Sequence, residues 1–438
     1  MCSTPGGGNY KTDCNSQGRP VNETTISTNP FPHASAAGGA PLYVGGANDY
    51  NSYNGDAQDG YYWSDDGVVW HDRGPVDVFP HDFDFLAGDP SVDLDRRGQL
   101  FYSSLFDSRN NCNAGSGGTD TVGGMELLRQ KRPPLGAFER LEIAPNMATS
   151  FQDKDALTVS HNNVFVSWTQ FNFTACNRGF VSAPLKLARV PASGPLRVAS
   201  ILTVPGTILP QGSALAPDGK GGVWIAWEEF IDTPGIKLVH YNVRTDSFDS
   251  VRTVSPSTFR NLPSPLPGFR FRTDSFPTLT VTLTGCPNPS VAGCPHVAWT
   301  SYDAGVGRAY LWSENTGARK VADSGGDQFF PGISTGGPGR DIFVNFSQTN
   351  PLDPSDSSNN SYDHWVAHDG RVEKVSTASS FPNRDFYFGG GFIGDYQSMT
   401  VYSPPAGPST WVPFWTDIRN QDGSYPQHGM VAPKTFTP

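Results

Sequence analysis

The chain has 438 residues, with 31 Lys and Arg against 42 Asp and Glu, so its formal net charge at neutral pH is −11. This acidic balance argues against a nucleic-acid partner and against an anionic membrane surface. The 48 glycines and 38 prolines, about a fifth of the chain, exclude a helical bundle, and no apolar run is long enough to span a bilayer. The composition predicts an acidic, β-rich protein.

A pattern of a short strand, a turn and a stronger apolar strand recurs seven times along the chain. The short strands begin near Asn22, Asp89, Asp153, Gln211, Asp274, Asp327 and Asp395. The stronger strands are PLYVGGANDY, QLFYSSLFDS, VFVSWTQF, GVWIAWEEF, HVAWTSYD, DIFVNFSQ and TWVPFWTDIR. Two weaker strands follow in most units, so we expect an all-β fold, a β-propeller of seven four-stranded blades. A six-bladed propeller and a pair of β-sandwiches are the alternatives.

The domain organisation follows from the same series of strands. No linker-like stretch interrupts it, so residues 1–438 are predicted to form a single propeller domain and a monomer. The last unit is one strand short. Residues 1–20 are therefore expected to form an N-terminal segment, stapled by a disulfide, that completes the last blade.

The six cysteines contain no CxxC pair, which argues against a zinc ribbon or a thioredoxin-type centre. The loop GCPNPSVAGC predicts a local disulfide between Cys286 and Cys294. Cys2 with Cys14 would staple the amino terminus, leaving Cys112 and Cys176 as a long-range bridge. Disulfides indicate an exported, extracellular protein. In the alternative interpretation, Cys2 is the lipid-bearing cysteine of a cell-surface lipoprotein.

One short motif relates the chain to a known superfamily. The stretch Trp63 to Trp70, WSDDGVVW, has the order of an Asp-box, S/T-x-D-x-G-x-T-W, with Asp65, Gly67 and Trp70 in register. Such a turn uses the aspartate to accept amide hydrogen bonds and the glycine to adopt a left-handed conformation, so Asp65 is expected to be structural. Supporting stretches are NETTISTNP, VGGANDY, GDPSVDLD, QDKDALTV and FIGDYQSMTV. Over residues 20–420 the chain resembles the sialidase and BNR-repeat (Asp-box) propeller superfamily, which includes secreted bacterial sialidase-like proteins.

The resemblance implies a carbohydrate-active site. Sialidases of this fold use a tyrosine nucleophile assisted by a glutamate, an aspartate as acid/base and three arginines that grip the sugar carboxylate. Tyr396, in Tyr-Gln-Ser-Met, is similar to the family's strand that carries this tyrosine, and Arg109 is placed like one of the arginines. The first inner strand has Val-Asn-Glu-Thr at 21–24 where the family has Arg-Ile-Pro. Sialidase activity itself therefore does not follow.

Inner-strand starts and second-strand ends meet at one face of such a propeller. The inner-strand starts supply Glu23, Asp89, Asp153, Asp274, Asp327 and Asp395. The predicted catalytic residues are Asp89, Asp153, Glu228, Asp395 and Tyr396. The predicted substrate-binding residues are Asp49, Tyr50, Arg109, Tyr302, Asp303, Asp417 and Arg419. Carboxylates that lie close together repel one another, so we expect raised pKa values, pairing with Arg109 or Arg419, or a bound cation such as Ca²⁺. No cofactor is required.

The function that these residues predict is a secreted glycoside hydrolase that uses two carboxylates on a glycan or polysaccharide substrate. A polysaccharide lyase on the same scaffold would instead use a tyrosine or histidine base, with an arginine or a cation neutralising a uronate. A non-catalytic propeller that binds carbohydrate or protein is the third possibility. Two facing carboxylates in one pocket would favour the enzyme, and an open aromatic surface would favour binding.

Overall fold

The computed structural model describes residues 2, 7–14, 19–29, 41–50, 58–76, 84–108, 123–130, 133–145, 147, 149–175, 178–284, 286, 293–323, 325–336, 341–404, 407–420 and 423–436. These residues form seven antiparallel sheets of four or five strands. Six are built from a consecutive part of the chain, and the seventh combines the last four strands with the N-terminal strand. The inner strands of successive sheets pack on one another, and the seventh packs on the first. The protein is a seven-bladed β-propeller. The prediction of the fold is confirmed, and the six-bladed and sandwich alternatives are wrong.

The strand bounds of the N-terminal part are as follows. A short strand β1 (Tyr10–Lys11) precedes the first blade. Blade 1 contains β2 (Val21–Thr28), β3 (Tyr43–Asp49), β4 (Gln58–Ser64) and β5 (His71–Pro75). Blade 2 contains β6 (Asp84–Leu94), β7 (Leu100–Ser108), β8 (Gly123–Gln130) and β9 (Phe138–Pro145). Blade 3 contains β10 (Ser150–Ser160), β11 (Asn163–Ala175), β12 (Arg178–Ser182), β13 (Leu185–Pro191) and β14 (Ser200–Thr203).

The remaining four blades continue the same order. Blade 4 contains β15 (Pro210–Pro217), β16 (Val223–Glu229), β17 (Gly235–Asn242), β18 (Ser247–Phe248) and β19 (Arg252–Thr253). Blade 5 contains β20 (Thr278–Thr282), β21 (Cys294–Asp303), β22 (Val306–Ser313) and β23 (Gly317–Lys320). Blade 6 contains β24 (Gln328–Gly336), β25 (Asp341–Thr349), β26 (Tyr362–His368) and β27 (Arg371–Lys374). Blade 7 contains β28 (Ser398–Tyr402), β29 (Ser409–Asp417), β30 (His428–Val431) and β31 (Lys434–Phe436).

The apolar second strands supply much of the core. Trp168, Trp227, Trp299 and Trp415 lie on the second strands of four different blades and are fully buried. Within the described part of the chain, the helices are single turns at Ser357–Asn359 and Pro382–Arg384, and none is long and apolar enough to cross a membrane.

The N-terminal segment joins the two ends of the ring. Strand β1 pairs antiparallel with β30 of blade 7, where Tyr10 faces Val431, and the backbone amide of Cys2 donates to the carbonyl of Trp70 in blade 1 at 2.7 Å. Cys2 forms a disulfide with Cys14. The segment therefore contacts the first and the last blade. The disulfide also removes the free thiol that a lipid-bearing Cys2 would need.

The second predicted local disulfide is also present. Cys286, in the connection between β20 and β21, is bonded to Cys294, the first residue of β21. Both short-range pairings proposed from the sequence are confirmed. The proposed bridge between Cys112 and Cys176 lies outside the described residues.

The turn in the Asp-box-like stretch is built around a different aspartate from the one expected. The carboxylate of Asp66 accepts hydrogen bonds from the amides of Val68 and Val69, both at 2.7 Å, whereas Asp65 is exposed. Gly67 adopts a φ of +77°, and its carbonyl accepts the indole N–H of buried Trp70 at 2.9 Å. The assignment of Asp65 as the turn acceptor is wrong, because the carboxylate that accepts the turn amides belongs to Asp66, the residue directly before Gly67.

Candidate active site

A repeated β-bulge turns side chains toward the propeller axis. The strand register shifts near the start of five inner strands. Each bulge holds a residue at positive φ, and these residues are Glu23, Asp89, Lys154, Gly212 and Phe330, with Gly88 also at positive φ beside Asp89. Phe276 and Tyr396 stand two residues before the first residues of β20 and β28. A left-handed conformation is costly for a residue with a side chain, and bulges commonly re-aim side chains beside functional sites.

Glu23 and Asp89 form a carboxyl pair across the first two blades. Glu23 is only 2% exposed, and its carboxyl is hydrogen-bonded to that of half-buried Asp89. Asn48 positions both residues, since its side-chain amide donates to Glu23 Oε2 at 2.6 Å and accepts the Asp89 backbone N–H at 2.9 Å. Burial, followed by the charges of Asp89 and Asp395, holds the pKa of Glu23 well above its ordinary value. The raised pKa favours the protonated form of Glu23.

Asp395 lies beside this pair and has a cation of its own. Both of its carboxylate oxygens accept from the guanidinium of Arg272, with Nε at 2.6 Å from Oδ1. The Asp395 backbone N–H donates to Glu23 Oε1 at 3.2 Å. Burial raises the pKa of Asp395, and the two interactions with Arg272 oppose that rise. Arg272 also lies over the ring of Phe392, 4.6 Å from its centroid.

The bulge in blade 3 places a lysine between two aspartates. The ammonium of buried Lys154 lies 3.4 Å from the centroid of the Tyr396 ring. Burial and the charge of Asp89 raise the pKa of Asp153 to about 6, although Gln211 donates to its carboxylate at 2.7 Å. Burial raises the pKa of Asp155 to about 8. The charge of Lys154 opposes the rise at both aspartates.

Asp274 completes a group that we call the acid cluster: Glu23, Asp89, Asp153, Asp274 and Asp395. Burial and the charges of Asp395 and Glu228 raise the pKa of Asp274. The charge of Lys154 lowers the pKa of four members. Charge compensation therefore comes from Lys154, from Arg272 and from protonation.

Two cavities open beside the acid cluster. The axial cavity has a volume of about 210 Å³ and is lined by the inner strands or their starts from all seven blades, including Lys154, Asp274 and Asp395. The side cavity has a volume of about 420 Å³. Its lining residues are Glu23, Asn48, Tyr50, Ala87, Asp89, Leu105, Arg272, Phe388, Gly391 and Phe392. Carboxyl groups and aromatic rings therefore share one pocket.

The aromatic wall of the side cavity comes from two distant parts of the chain. Tyr50 follows β3, and its ring packs against those of Phe388 and Tyr387 at centroid distances of 5.1 and 5.8 Å. Phe388 in turn packs edge-on against Phe392 at 5.5 Å. The carboxylate of Asp385 accepts from the amides of Tyr387 and Phe388 and so shapes the loop that carries these rings.

The structure brings together part of the predicted site. Asp89, Asp153, Asp395 and Tyr396 converge near the axis. Asp327 does not join them, because its carboxylate accepts the Gly307 amide at 2.7 Å. Its expected place in the ring is therefore wrong.

Glu228 lies near the cluster without lining either cavity. It is fully buried in β16, and burial raises its pKa to about 8. Its neighbour Glu229 accepts the amides of Ile208 and Leu209 at 3.1 and 2.7 Å. Neither glutamate of the tandem pair meets solvent.

Most predicted substrate-binding residues have partners elsewhere. Asp417 and Arg419 form a local ion pair at 2.7 Å, and Arg419 also donates to Thr377 and Asn9. The expected pairing of Arg419 with the acid cluster is therefore wrong.

Of the other predicted binding residues in the described part of the chain, one lines the side cavity and three make contacts elsewhere in the protein. Asp303 is paired with Lys320 at 2.7 Å, which lowers the pKa of that carboxyl. Tyr302 packs in an apolar cluster, and Asp49 accepts the hydroxyl of a buried tyrosine. Tyr50 lines the side cavity, while Arg109 lies outside the described residues.

Three important residues were absent from the predicted site. Lys154 stands between two aspartates in QDKDAL, and aligning it with the bulge positions of Glu23 and Asp89 would have revealed it. Arg272 lies in the connection between blades 4 and 5, where no strand pattern marks it. Asn48 precedes Asp49 and Tyr50, and an uncharged amide at the end of a strand gives no sequence signal for its contacts with Glu23 and Asp89.

The group of potential metal ligands in the described part of the chain includes the N-terminal disulfide. Within the described part of the chain, the group that brings three potential ligand atoms within reach of one another is Cys2, Cys14 and Asp72, and its two sulfurs are joined in a disulfide. The acid cluster does not bring three such atoms together.

Comparison with known proteins relates the chain to other propellers. No protein-family model matches it, and no curated protein matches it. An ulvan lyase of polysaccharide lyase family 25 aligns with a TM-score of 0.46 and 10% identity, over 92% of this chain and 93% of that one. An α-L-arabinofuranosidase from Fusarium graminearum aligns with a TM-score of 0.49 and 10% identity, over 84% and 98%. A Hadza microbial sialidase aligns with a TM-score of 0.46 and 11% identity, over 95% and 66%. At these identities the likeness concerns the propeller fold.

Proposed function

We propose that the protein is a glycoside hydrolase that acts on an extracellular glycan or polysaccharide. The observation that supports this most directly is the arrangement of Glu23, Asp89 and Asp395. A carboxyl pair in which the protonated form of Glu23 is favoured lies beside a carboxylate paired with an arginine, at a cavity with an aromatic wall. Neighbouring carboxyl groups in different protonation states are what acid and base roles require.

The reaction assigns a role to each group. Hydrolysis of a glycosidic bond needs a proton for the leaving oxygen and a carboxylate facing the oxocarbenium-like transition state. Glu23, whose protonated form is favoured, supplies the proton, and Asp89, the more exposed member of the pair, passes it to the leaving oxygen. Asp395, with its negative charge favoured by Arg272, acts as the second carboxylate. Asp153, whose pKa is about 6, adjoins both and exchanges protons with solvent near neutral pH.

Tyr396 takes a supporting role in this proposal. Its hydroxyl donates to the Pro90 carbonyl at 3.3 Å, and burial together with the charges of Asp89 and Glu23 raises the pKa of the phenol. A phenol held neutral in this way is a poor nucleophile and a poor base. We assign it to hold Lys154 through the cation–π contact. This assignment favours hydrolysis at a carboxylate pair over both the sialidase and the lyase mechanisms.

The proposal extends to the compartment of the protein and to its cofactor requirement. The disulfides Cys2–Cys14 and Cys286–Cys294 are consistent with an oxidising environment, and we propose that the protein is secreted as a monomer. We propose no metal or organic cofactor, since the reaction described needs only carboxyl groups and water.

A glycan panel with matched variants tests the proposal. Hydrolysis would be followed by mass spectrometry, in which each cleavage adds the mass of one water across the two products. We expect Asp89→Asn to lower kcat/KM by at least 100-fold and Asp327→Asn, an inner-strand aspartate outside the cluster, to leave it within about 3-fold. Full activity of the Asp89 variant would contradict the assignment. Products with an unsaturated end and no added water would indicate a lyase.

A further inference from the structure

We infer that the side cavity takes an uncharged sugar residue and that carboxylate-bearing sugars, such as uronates and sialates, are excluded from it. The inference rests on the proposed function, because it specifies the substrate class of the same pocket. It follows from the charges of the described residues that line the two cavities.

Two cations line these cavities within the described part of the chain, and both already have partners. Arg272 makes two hydrogen bonds to the carboxylate of Asp395 and lies over Phe392. Lys154 lies over the Tyr396 ring in the axial cavity, close enough to several carboxyls to lower their pKa values. A sugar carboxylate that approached the remaining N–H groups of Arg272 would meet a cation whose charge Asp395 already balances. It would also bring a second anion next to the half-buried carboxylate of Asp395.

The acidic groups oppose an anionic sugar directly. Glu23 and Asp89 line the side cavity, and Asp395 pairs with Arg272 at the same place. A further carboxylate would raise the pKa values of these groups or be repelled, because like charges at short range disfavour ionisation. Removing an anion from water without a free cationic partner is also costly.

The same groups suit an uncharged sugar. Hydroxyl groups donate to carboxylates, which are acceptors only when ionised. The rings of Tyr50, Phe388 and Phe392 offer apolar surface to the C–H faces of a pyranose or furanose. The pocket therefore offers hydrogen-bond acceptors and stacking surfaces without an uncommitted guanidinium.

Matched glycans separate charge from shape. The panel contains polygalacturonate, polyglucuronate and sialyllactose, each beside its neutral counterpart: the two carboxyl-reduced polymers, which keep their linkages, and lactose. Binding would be measured by titration calorimetry and cleavage by mass spectrometry. Wild-type protein is expected to bind at least one neutral member at least 10-fold more tightly than its carboxylate-bearing partner.

Two variants test the cause of the preference. Asp395→Asn frees Arg272 and should reduce the preference at least 3-fold, whereas Asp327→Asn should leave it unchanged. Arg272→Gln should keep or increase the preference, because it removes a positive charge and leaves the negative charge of Asp395 unbalanced. Circular dichroism and melting temperature establish that each variant is folded. If either the Asp395 or the Arg272 variant is not folded, the other still tests the inference.

The outcomes distinguish the inference from the proposed function. Equal or tighter binding of the carboxylate-bearing members overturns the inference, and their hydrolysis would leave the glycosidase standing. Neutral-selective binding without cleavage of any member supports the inference and overturns the hydrolase. Absence of binding to every member overturns both.

Discussion

Glu23 and Asp89 occupy equivalent bulge positions in adjacent blades, and their carboxyl groups contact one another. Both residues have positive φ, +56° and +57°. The bulge is therefore the feature that turns two residues of separate sheets toward one another. Asn48 bonds to both and fixes their relative position.

We expect Asp395→Asn to reduce catalysis far more than stability. The asparagine keeps the size of the side chain but removes the charge that pairs with Arg272 and faces the transition state. A fall in kcat/KM of at least 100-fold should accompany a change in Tm of only a few degrees, measured by glycan hydrolysis and calorimetry. A variant with full activity, or one that has lost activity only because it is unfolded, would defeat the assignment.

The buried aspartates make stability depend on pH. The pKa of Asp155 is raised to about 8 in the folded protein from an unfolded value near 3.8, so the folded state binds more protons between these values. Stability should therefore fall as pH rises from about 4 to about 8, with a slope of about 1.4 kcal/mol per pH unit for one such group. Urea unfolding at several pH values measures this slope.

Asp155→Asn gives the matched comparison for the pH series, because the amide resembles the protonated acid. The variant should lose that contribution to the slope. Between pH 5 and pH 8, its free energy of unfolding should therefore fall less than that of the wild type. Asp65→Asn, at an exposed position, serves as the control and should follow the wild-type curve. An unchanged slope in the Asp155 variant would show that Asp155 does not titrate in this range.

The turn at residues 64–70 predicts opposite outcomes for two adjacent aspartates. Asp66→Ala removes the acceptor of the Val68 and Val69 amides and should cost about 1 kcal/mol of unfolding free energy. Asp65→Ala should be close to neutral. Chemical denaturation measures both changes. Equal destabilisation by the two variants would contradict the assignment of the turn to Asp66.

An unreduced proteolytic digest examines the cysteine pairing. Mass spectrometry should recover the linked peptides of Cys2 with Cys14 and of Cys286 with Cys294. The same digest should contain Cys112 linked to Cys176, the bridge expected from the sequence. A free thiol at any of these positions would rule out its proposed bond.

The sequence alone determined the architecture because the alternation of turns and apolar strands is local information. Seven similar units must bury their faces against one another, and a closed ring does this without exposing long sheet edges. The start of each inner strand could also be located, which placed Asp89, Asp153 and Asp395 near the axis. The two local disulfides followed from short cysteine spacings within the same loops or segments.

Only the tertiary structure decided which side chains meet. A bulge inserts one extra residue into a strand and so changes the face to which the neighbouring side chains point. The position of the bulge depends on pairing across the sheet. This is why Lys154 faces Tyr396 while Asp327 accepts the amide of Gly307 in β22. The partner of Asp395 is Arg272, which is distant in sequence and lies between blades. Charge compensation acts through space, so it depends on how the seven sheets close around the axis.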